Sequence, residues 1–308
     1  MILSASRRTD IPCYYSEWFM NRLRAGYVLT RNPMNHAQLS KIPLSPDIVD
    51  CIVFWTKDAD NMLPHLEELD VQGYNYYFQF TLTPYGNDIE CNFRPKPEIE
   101  DTFITLSKRI GRERVVWRYD PIILNDTLTI AYHKIQFIRM CEKLSSFTDT
   151  VTISFVDMYP KLKTTLIRPI TDEEIVEIAS FIDKTAKEHD LRVVACCEKA
   201  DLTGYGIERA SCIDKARIEA VCGCSFKVSG DKNQRSDCGC CESIDIGAYN
   251  TCLNGCVYCY ANDSPATTKH RHDSHDPKSE LLIGSVLDGE KITERKVKSD
   301  KQGQITLF

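Results

Sequence analysis

No run of apolar residues in this chain approaches the roughly 18 that a membrane-crossing helix needs, so no membrane partner is expected. Residues 1–20 (MILSASRRTDIPCYYSEWFM) carry no h-region of a secretory signal, which points to the cytoplasm. Positive charge is short as well: 38 lysines and arginines stand against 44 acidic residues. That balance argues against wholesale binding to nucleic acid and leaves room only for a local basic cleft. Internal repeats are absent beyond an alternation of apolar stretches and helical patterns. What is abundant is cysteine. Fifteen thiols would suggest a disulfide scaffold in a short secreted chain, but the odd count and the length of 308 residues argue for reduced, metal-bound thiols.

The apolar stretches Ile2–Ala5, Tyr27–Thr30, Asp50–Thr56, Tyr76–Leu82, Arg114–Trp117, Thr150–Phe155, Arg192–Cys196 and Ser243–Ile246 read as strands. Helical patterns at Tyr15–Ala25, Asp58–Leu69, Glu98–Ile110, Thr127–Leu144, Asp172–His189 and within Ile207–Val221 separate them. Thr171 or Asp172 can cap the fifth of these helices. Eight strand–helix units predict an α/β fold, a (β/α) TIM-type barrel, regular or distorted, over residues 1–263. Residues 264–308 are polar, then rich in Lys and Glu, and read as a wrap and flexible tail, with His270, His272 and His275 as scattered surface histidines.

In a barrel the C-terminal ends of the strands carry the active site. Here those ends collect Ser6-Arg7-Arg8-Thr9-Asp10, Arg31-Asn32, Trp55-Thr56-Lys57, Thr81, Arg118-Tyr119-Asp120, Ser154 with Asp157, and Cys197-Glu198. Guanidinium groups pair with carboxylates and phosphates in a bidentate way, so Arg7, Arg8, Arg31 and Arg118, with Lys57, predict an anionic substrate. Asp10, Asp120 and Glu198 are candidates for orienting its polar groups.

The densest chemical signal is the stretch TCLNGCVYCYAN, in which Cys252, Cys256 and Cys259 stand at C-x3-C-x2-C with Tyr258 beside the last. Soft thiolates at such spacings suit zinc or an iron–sulfur cluster. Three thiolates on a [4Fe–4S] cube leave one iron open to another ligand; a zinc knuckle or merely buried thiols are the alternatives. The spacing resembles the signature of the radical S-adenosylmethionine (SAM) enzymes, and the run GCVYCY resembles that of spore photoproduct lyase, a DNA-repair member. The stretches SASRRTDIP, VFWTK, WRYDP, DIGAYNTC and GCVYCYAN together resemble an uncharacterised bacterial family with such cysteines at its C-terminal end. What the radical SAM resemblance implies is a [4Fe–4S] cluster on Cys252, Cys256 and Cys259, SAM chelated by the open iron with Tyr258 near its adenine, and an electron donor such as flavodoxin or ferredoxin. The function expected is radical chemistry on an anionic small metabolite, or on nucleic acid in repair or modification; the alternative is a metal-binding or redox protein without SAM chemistry.

Eight further cysteines crowd residues 196–241: Cys196, Cys197, Cys212, Cys222, Cys224, Cys238, Cys240 and Cys241. Cys197, Cys212, Cys238 and Cys240 can supply four ligands to an auxiliary cluster or a zinc ion, or can be buried thiols. Cys13, Cys51, Cys91 and Cys141 read as small buried hydrophobes. The end of the chain, Gln304 to Phe308 (QITLF), resembles the pentapeptide by which bacterial proteins bind the sliding clamp.

Overall fold

The computed structural model describes residues 1–32, 35, 37–159, 162, 164–198, 200–235 and 238–302. The chain runs β1 (Ile2–Ala5), α1 (Ile11–Tyr14), α2 (Ser16–Ala25), β2 (Tyr27–Arg31), β3 (Gln38–Pro43), β4 (Cys51–Thr56), α3 (Leu66–Val71), β5 (Tyr76–Thr81) and α4 (Lys96–Ile110). It continues through β6 (Val115–Ile122), α5 (Ile130–Leu144), β7 (Thr150–Phe155), α6 (Asp172–Glu188), β8 (Arg192–Ala195), β9 (Glu208–Arg209), α7 (Lys215–Cys222), β10 (Ile244–Asp245), α8 (Pro265–Asp273) and β11 (Lys291–Glu294). Of the two residues that could cap α6, Thr171 does so, through a capping box with Glu174.

Eight parallel strands form one sheet in the order β10-β1-β4-β5-β6-β7-β8-β9. The fold is therefore α/β, and among the described residues no ladder joins β9 to β10, so no closed barrel is formed. Tyr27–Thr30 is not the second strand of a ring. Within β2 it pairs antiparallel with β3, and β11 completes a separate three-stranded sheet. The physical reason is proximity along the chain: Gly26, left-handed at φ 76°, ends α2 and turns β2 directly towards β3. β1 then pairs with β4 without an intervening strand.

Side chains alternate across a strand, and this period of two sorts the central sheet into two faces. Ile52, Phe54, Phe78, Phe80, Trp117 and Tyr119 enter the large core under the helices. Ile2, Cys51, Val53, Tyr77 and Val116 enter a second core on the other face. The segment after β9 fills that face, with Cys212, Ile213, Ile218, Phe226, Cys240 and Cys241 in the same cluster. Tyr77 and Gln79 both donate to the Cys212 carbonyl, each at 2.8 Å. The second face of the sheet is thus covered by chain.

Residues 265–302 add α8 and β11. Trp18 Nε1 donates to the Ser279 carbonyl at 2.9 Å and Arg22 to that of Lys278 at 3.1 Å. His272 lies 3.1 Å from the Tyr15 hydroxyl, and His275 Nδ1 lies 2.7 Å from the Leu282 carbonyl. No helix among the described residues is long and apolar enough to cross a membrane. The motif at Gln304 to Phe308 lies outside the described residues.

Candidate active site

A cavity of about 590 Å³ opens at the C-terminal ends of the central strands. The alternation that buries Val53 and Val116 continues upward on the same face. It brings Trp55 from β4 and Lys57 just past its end, Thr81 from β5, Arg118 and Asp120 from β6, and Ser154 from β7 to the lining. β6 is longer than its sequence suggests, so Arg118 and Asp120 sit within the strand, and Tyr119 faces the helical core against His133 and Phe137.

Of the residues expected at this mouth, Arg7, Arg8, Asp10, Lys57, Arg118 and Asp120 line the cavity together with Cys252, Cys256, Tyr258 and Cys259. Cys197, Cys212, Cys238 and Cys240 line it too. Arg31 does not belong there: it sits in the small sheet, paired with Glu290 and donating to the Ser285 carbonyl at 3.1 Å. That follows from β2 leaving the central sheet. Glu198 stands just behind the lining, where it accepts the Phe155 N–H at 2.8 Å. Burial, with Asp120 and Asp157 nearby, pushes its carboxyl up to about 7. Cys91 is exposed, not buried, in the loop that meets the cysteine motif.

Asp10 organises the floor. Its carboxylate accepts from the backbone N–H of Cys13 at 3.1 Å and of Lys57 at 2.8 Å, and from Asn254 Nδ2 at 3.1 Å. Burial raises its pKa to about 6 while those hydrogen bonds oppose the rise. Asp10 therefore ties β1, β4 and the cysteine loop together. Asp245 does the same on the other side, accepting from Ser4, Ser6, the Arg7 N–H and the Gly247 N–H.

The cysteine loop is a built turn. Asn250 is left-handed at φ 59°, its side chain pairs with Asp263 at 2.7 Å, and its N–H donates to Ala261 at 2.9 Å. Gly255 is left-handed at φ 67°, and a Cβ there would lie 3.2 Å from Cys91 Cβ. The Ala261 N–H donates to Cys259 Sγ at 3.3 Å. Beside Cys256, Glu90 is buried between Lys57, whose Nζ is 2.7 Å away, and Lys96. It also accepts from Thr83 at 2.9 Å and from the Tyr258 hydroxyl. Burial would raise the Glu90 pKa, but the two lysines overcome it and hold the carboxyl down to about 2. Burial pushes the Cys256 thiol up to about 12 against the pull of Lys57.

The cationic wall is uneven. Arg118 is neutralised: it pairs with Asp120 and donates to Gln79 at 3.2 Å and to Cys212 Sγ at 3.0 Å. Arg7 has its nearest carboxylate, Asp231, at 4.0 Å, and its Nη2 is buried without a partner among the described residues. Both guanidinium carbons lie over the Trp55 ring, at 5.2 and 5.3 Å. Trp55 Nε1 and Thr9 Oγ1 are also buried and unpaired, and all three groups belong to residues that line the cavity. Buried donors are normally satisfied, so three orphans around one space mark a place for an acceptor.

Among the described residues no group of three or more His, Cys, Asp or Glu side chains is set to hold a single metal ion. One zinc ion, with Zn–S bonds of about 2.3 Å, would draw its sulfurs to within roughly 4 Å of one another. A polynuclear cluster spans a wider set of thiolates, and three half-buried cysteines on one turn facing a large cavity suit it better. The sequence assigned no role to Glu90, Lys96, Asn254 or Asp245. Only Asp245 carried a signal, its position just before the motif loop.

A family model described as "Domain of unknown function (DUF1848)" matches residues 2–261. No curated protein and no solved structure matches the chain.

Proposed function

We propose, for a chain that belongs to this family of unknown function, an iron–sulfur enzyme of the radical SAM type that acts on an anionic substrate. One observation carries the reading: the three thiols of the C-x3-C-x2-C loop and the unsatisfied donors of Arg7, Thr9 and Trp55 line the same cavity. Cys252, Cys256 and Cys259 would hold a [4Fe–4S] cluster. When bound, such a cluster supplies the electron that splits SAM into methionine and a 5′-deoxyadenosyl radical.

The chain's own residues do the rest. Arg7 Nη2 and Trp55 Nε1 donate to the substrate's carboxylate or phosphate, and the Trp55 ring keeps the Arg7 guanidinium in place. Arg118, already spent on Asp120, Gln79 and Cys212, stiffens that wall and does not take the anion. Asp10 fixes the loop through Asn254, and the Lys57–Glu90–Lys96 group sets a net positive charge beside Cys256. The open sheet is read as a (β/α) barrel whose last gap is spanned by the segment after β9, which shuts water out from below. A volume of about 590 Å³ suits a small anion together with a nucleoside-sized cosubstrate better than a duplex.

Anaerobic reconstitution should yield a brown protein whose reduced EPR signal changes when SAM is added. The Cys252→Ala/Cys256→Ala/Cys259→Ala variant should lose that SAM-responsive signal. A wild-type cluster with no calorimetric affinity for SAM would leave a redox or metal-binding module in place of an enzyme.

A further inference from the structure

We infer that Cys197, Cys212, Cys238 and Cys240 form a second metal centre in the wall of the same cavity, independent of the loop at 252–259. Five thiols line one stretch of that wall. Cys196 Sγ lies 3.2 Å from Cys212 Sγ. Cys212, Cys240, Cys238 and Cys197 follow, each near enough to the next to perturb its thiol. They arrive from three separate stretches: the end of β8, the turn after β9 and the C-G-C at 238–240.

The backbone is shaped to bring them in. Cys241 N–H donates to the Ile213 carbonyl at 2.9 Å, and Ser211 Oγ donates to the Gly239 carbonyl at 2.9 Å. A Cβ at Gly239, between the two cysteines, would lie 2.6 Å from Ser211 Oγ and displace that hydroxyl from its hydrogen bond. Cys197 is left-handed at φ 53°, a backbone region that non-glycine residues avoid. Donors converge on the sulfurs as they do around metal-bound thiolates: Arg118 Nη1 on Cys212 at 3.0 Å and the Ile213 N–H on Cys240 at 3.4 Å.

Packing does not account for this arrangement. Cys141 sits wholly inside the apolar core, whereas Cys212 and Cys240, though members of the second core, also line a cavity walled by Arg7 and Arg118, as do Cys196, Cys197 and Cys238. Cys196 and Cys212 are paired through an S–H donor, and among the described residues the thiols do not yet point at one centre. Metal binding removes the thiol protons, breaks that pair and turns four thiolates inward. Cys196 is already paired with Cys212, so the fourth ligand is assigned to its chain neighbour Cys197, which perturbs the Cys238 thiol.

The test uses the Cys252→Ala/Cys256→Ala/Cys259→Ala protein, purified anaerobically, so that only this site can hold metal. It should retain about one zinc or about four irons per chain, and either count supports the site while identifying its metal. Adding Cys197→Ser and Cys238→Ser should remove that metal, together with the thiolate-to-metal charge-transfer band given by Co(II). A folded triple variant that carries no metal and gives no such band with Co(II) overturns the inference, as does metal content unmoved by the two serine substitutions. Should the triple variant fail to fold, the Cys197→Ser/Cys238→Ser protein must bind less metal than wild type while keeping the wild-type circular dichroism spectrum, or the inference falls. Loss of SAM-responsive iron from 252–259 is read separately, so one site can fail without the other.

Discussion

Replacing Glu90 with Gln tests how the charges beside the cysteine loop are held. The residue is 1% exposed and its carboxylate is the shared counter-ion of Lys57 and Lys96. Glu90→Gln keeps the shape but strands two buried ammonium groups. Removing one partner from a buried ion network costs about 3–5 kcal/mol, because the remaining charge stays desolvated. At about 2.1 cal/mol/K of unfolding entropy per residue, a chain of 308 residues should melt roughly 5–8 °C lower. Adding Lys57→Met removes one stranded charge and should recover part of the loss. The pH dependence gives a second reading. The unfolded carboxyl takes up its proton as pH falls through 4.5, whereas the folded one resists until about 2. Its stabilisation is therefore complete above pH 4.5 and is lost progressively towards pH 2, about 3 kcal/mol in all. Urea melts at pH 6 and pH 3 should show the gap between wild type and Glu90→Gln narrowing by roughly 2 kcal/mol. A variant that melts within about 1 °C of wild type, or a gap that does not change with pH, refutes the reasoning.

His133 is buried, with Nδ1 2.8 Å from the Tyr119 hydroxyl and Nε2 2.8 Å from the Ile123 carbonyl, and burial lowers its pKa from 6.5 to about 4. Its unfolded form gains a proton that the folded form refuses, so the contribution of His133 to stability should fall by about 3 kcal/mol as pH drops from 6.5 to 4; a difference between wild type and His133→Gln that stays constant with pH in denaturant melts would contradict this. Gly247→Ala would set a methyl 2.6 Å from Ser6 Cβ and pry apart the Ser6–Asp245 contact, so calorimetry should find about 1–3 kcal/mol of destabilisation. Gly255→Ala strains a left-handed residue against Cys91 and should cost about 1–2 kcal/mol by the same measurement. Arg7→Ala should weaken inorganic phosphate binding at least tenfold by calorimetry, and Arg31→Ala should leave it unchanged; equal effects would remove Arg7 from the anion site.

The alternation of strand and helix was legible because it is local. Apolar runs such as CIVFWT and YYFQFT can bury both faces only in a covered parallel sheet, and the capping box at Thr171 and Glu174 lies within four residues. The ends of those strands likewise gathered Trp55, Lys57, Arg118 and Asp120 at one mouth, although their common face needed the true length of β6. Tyr27–Arg31 has the same composition as a central strand, and nothing within it says that its partner is β3 and not β1. Arg31 was misplaced for that reason alone.

What the sequence determined by itself is therefore the α/β rhythm, the thiol-rich chemistry and the turn at 250–263, since each depends on residues close together in the chain. The tertiary structure alone decided which groups share a cavity. Glu90 reaches Tyr258 across 168 positions, Ser6 reaches Asp245 across 239, and Cys196 meets Cys212 only because β8 and the turn after β9 lie side by side. It also decided that Arg118 is neutralised while Arg7 keeps an unpaired donor. Two arginines look alike in sequence, but charge is satisfied by neighbours within a few ångströms, and the packing of the sheet against its inner segment chooses those neighbours.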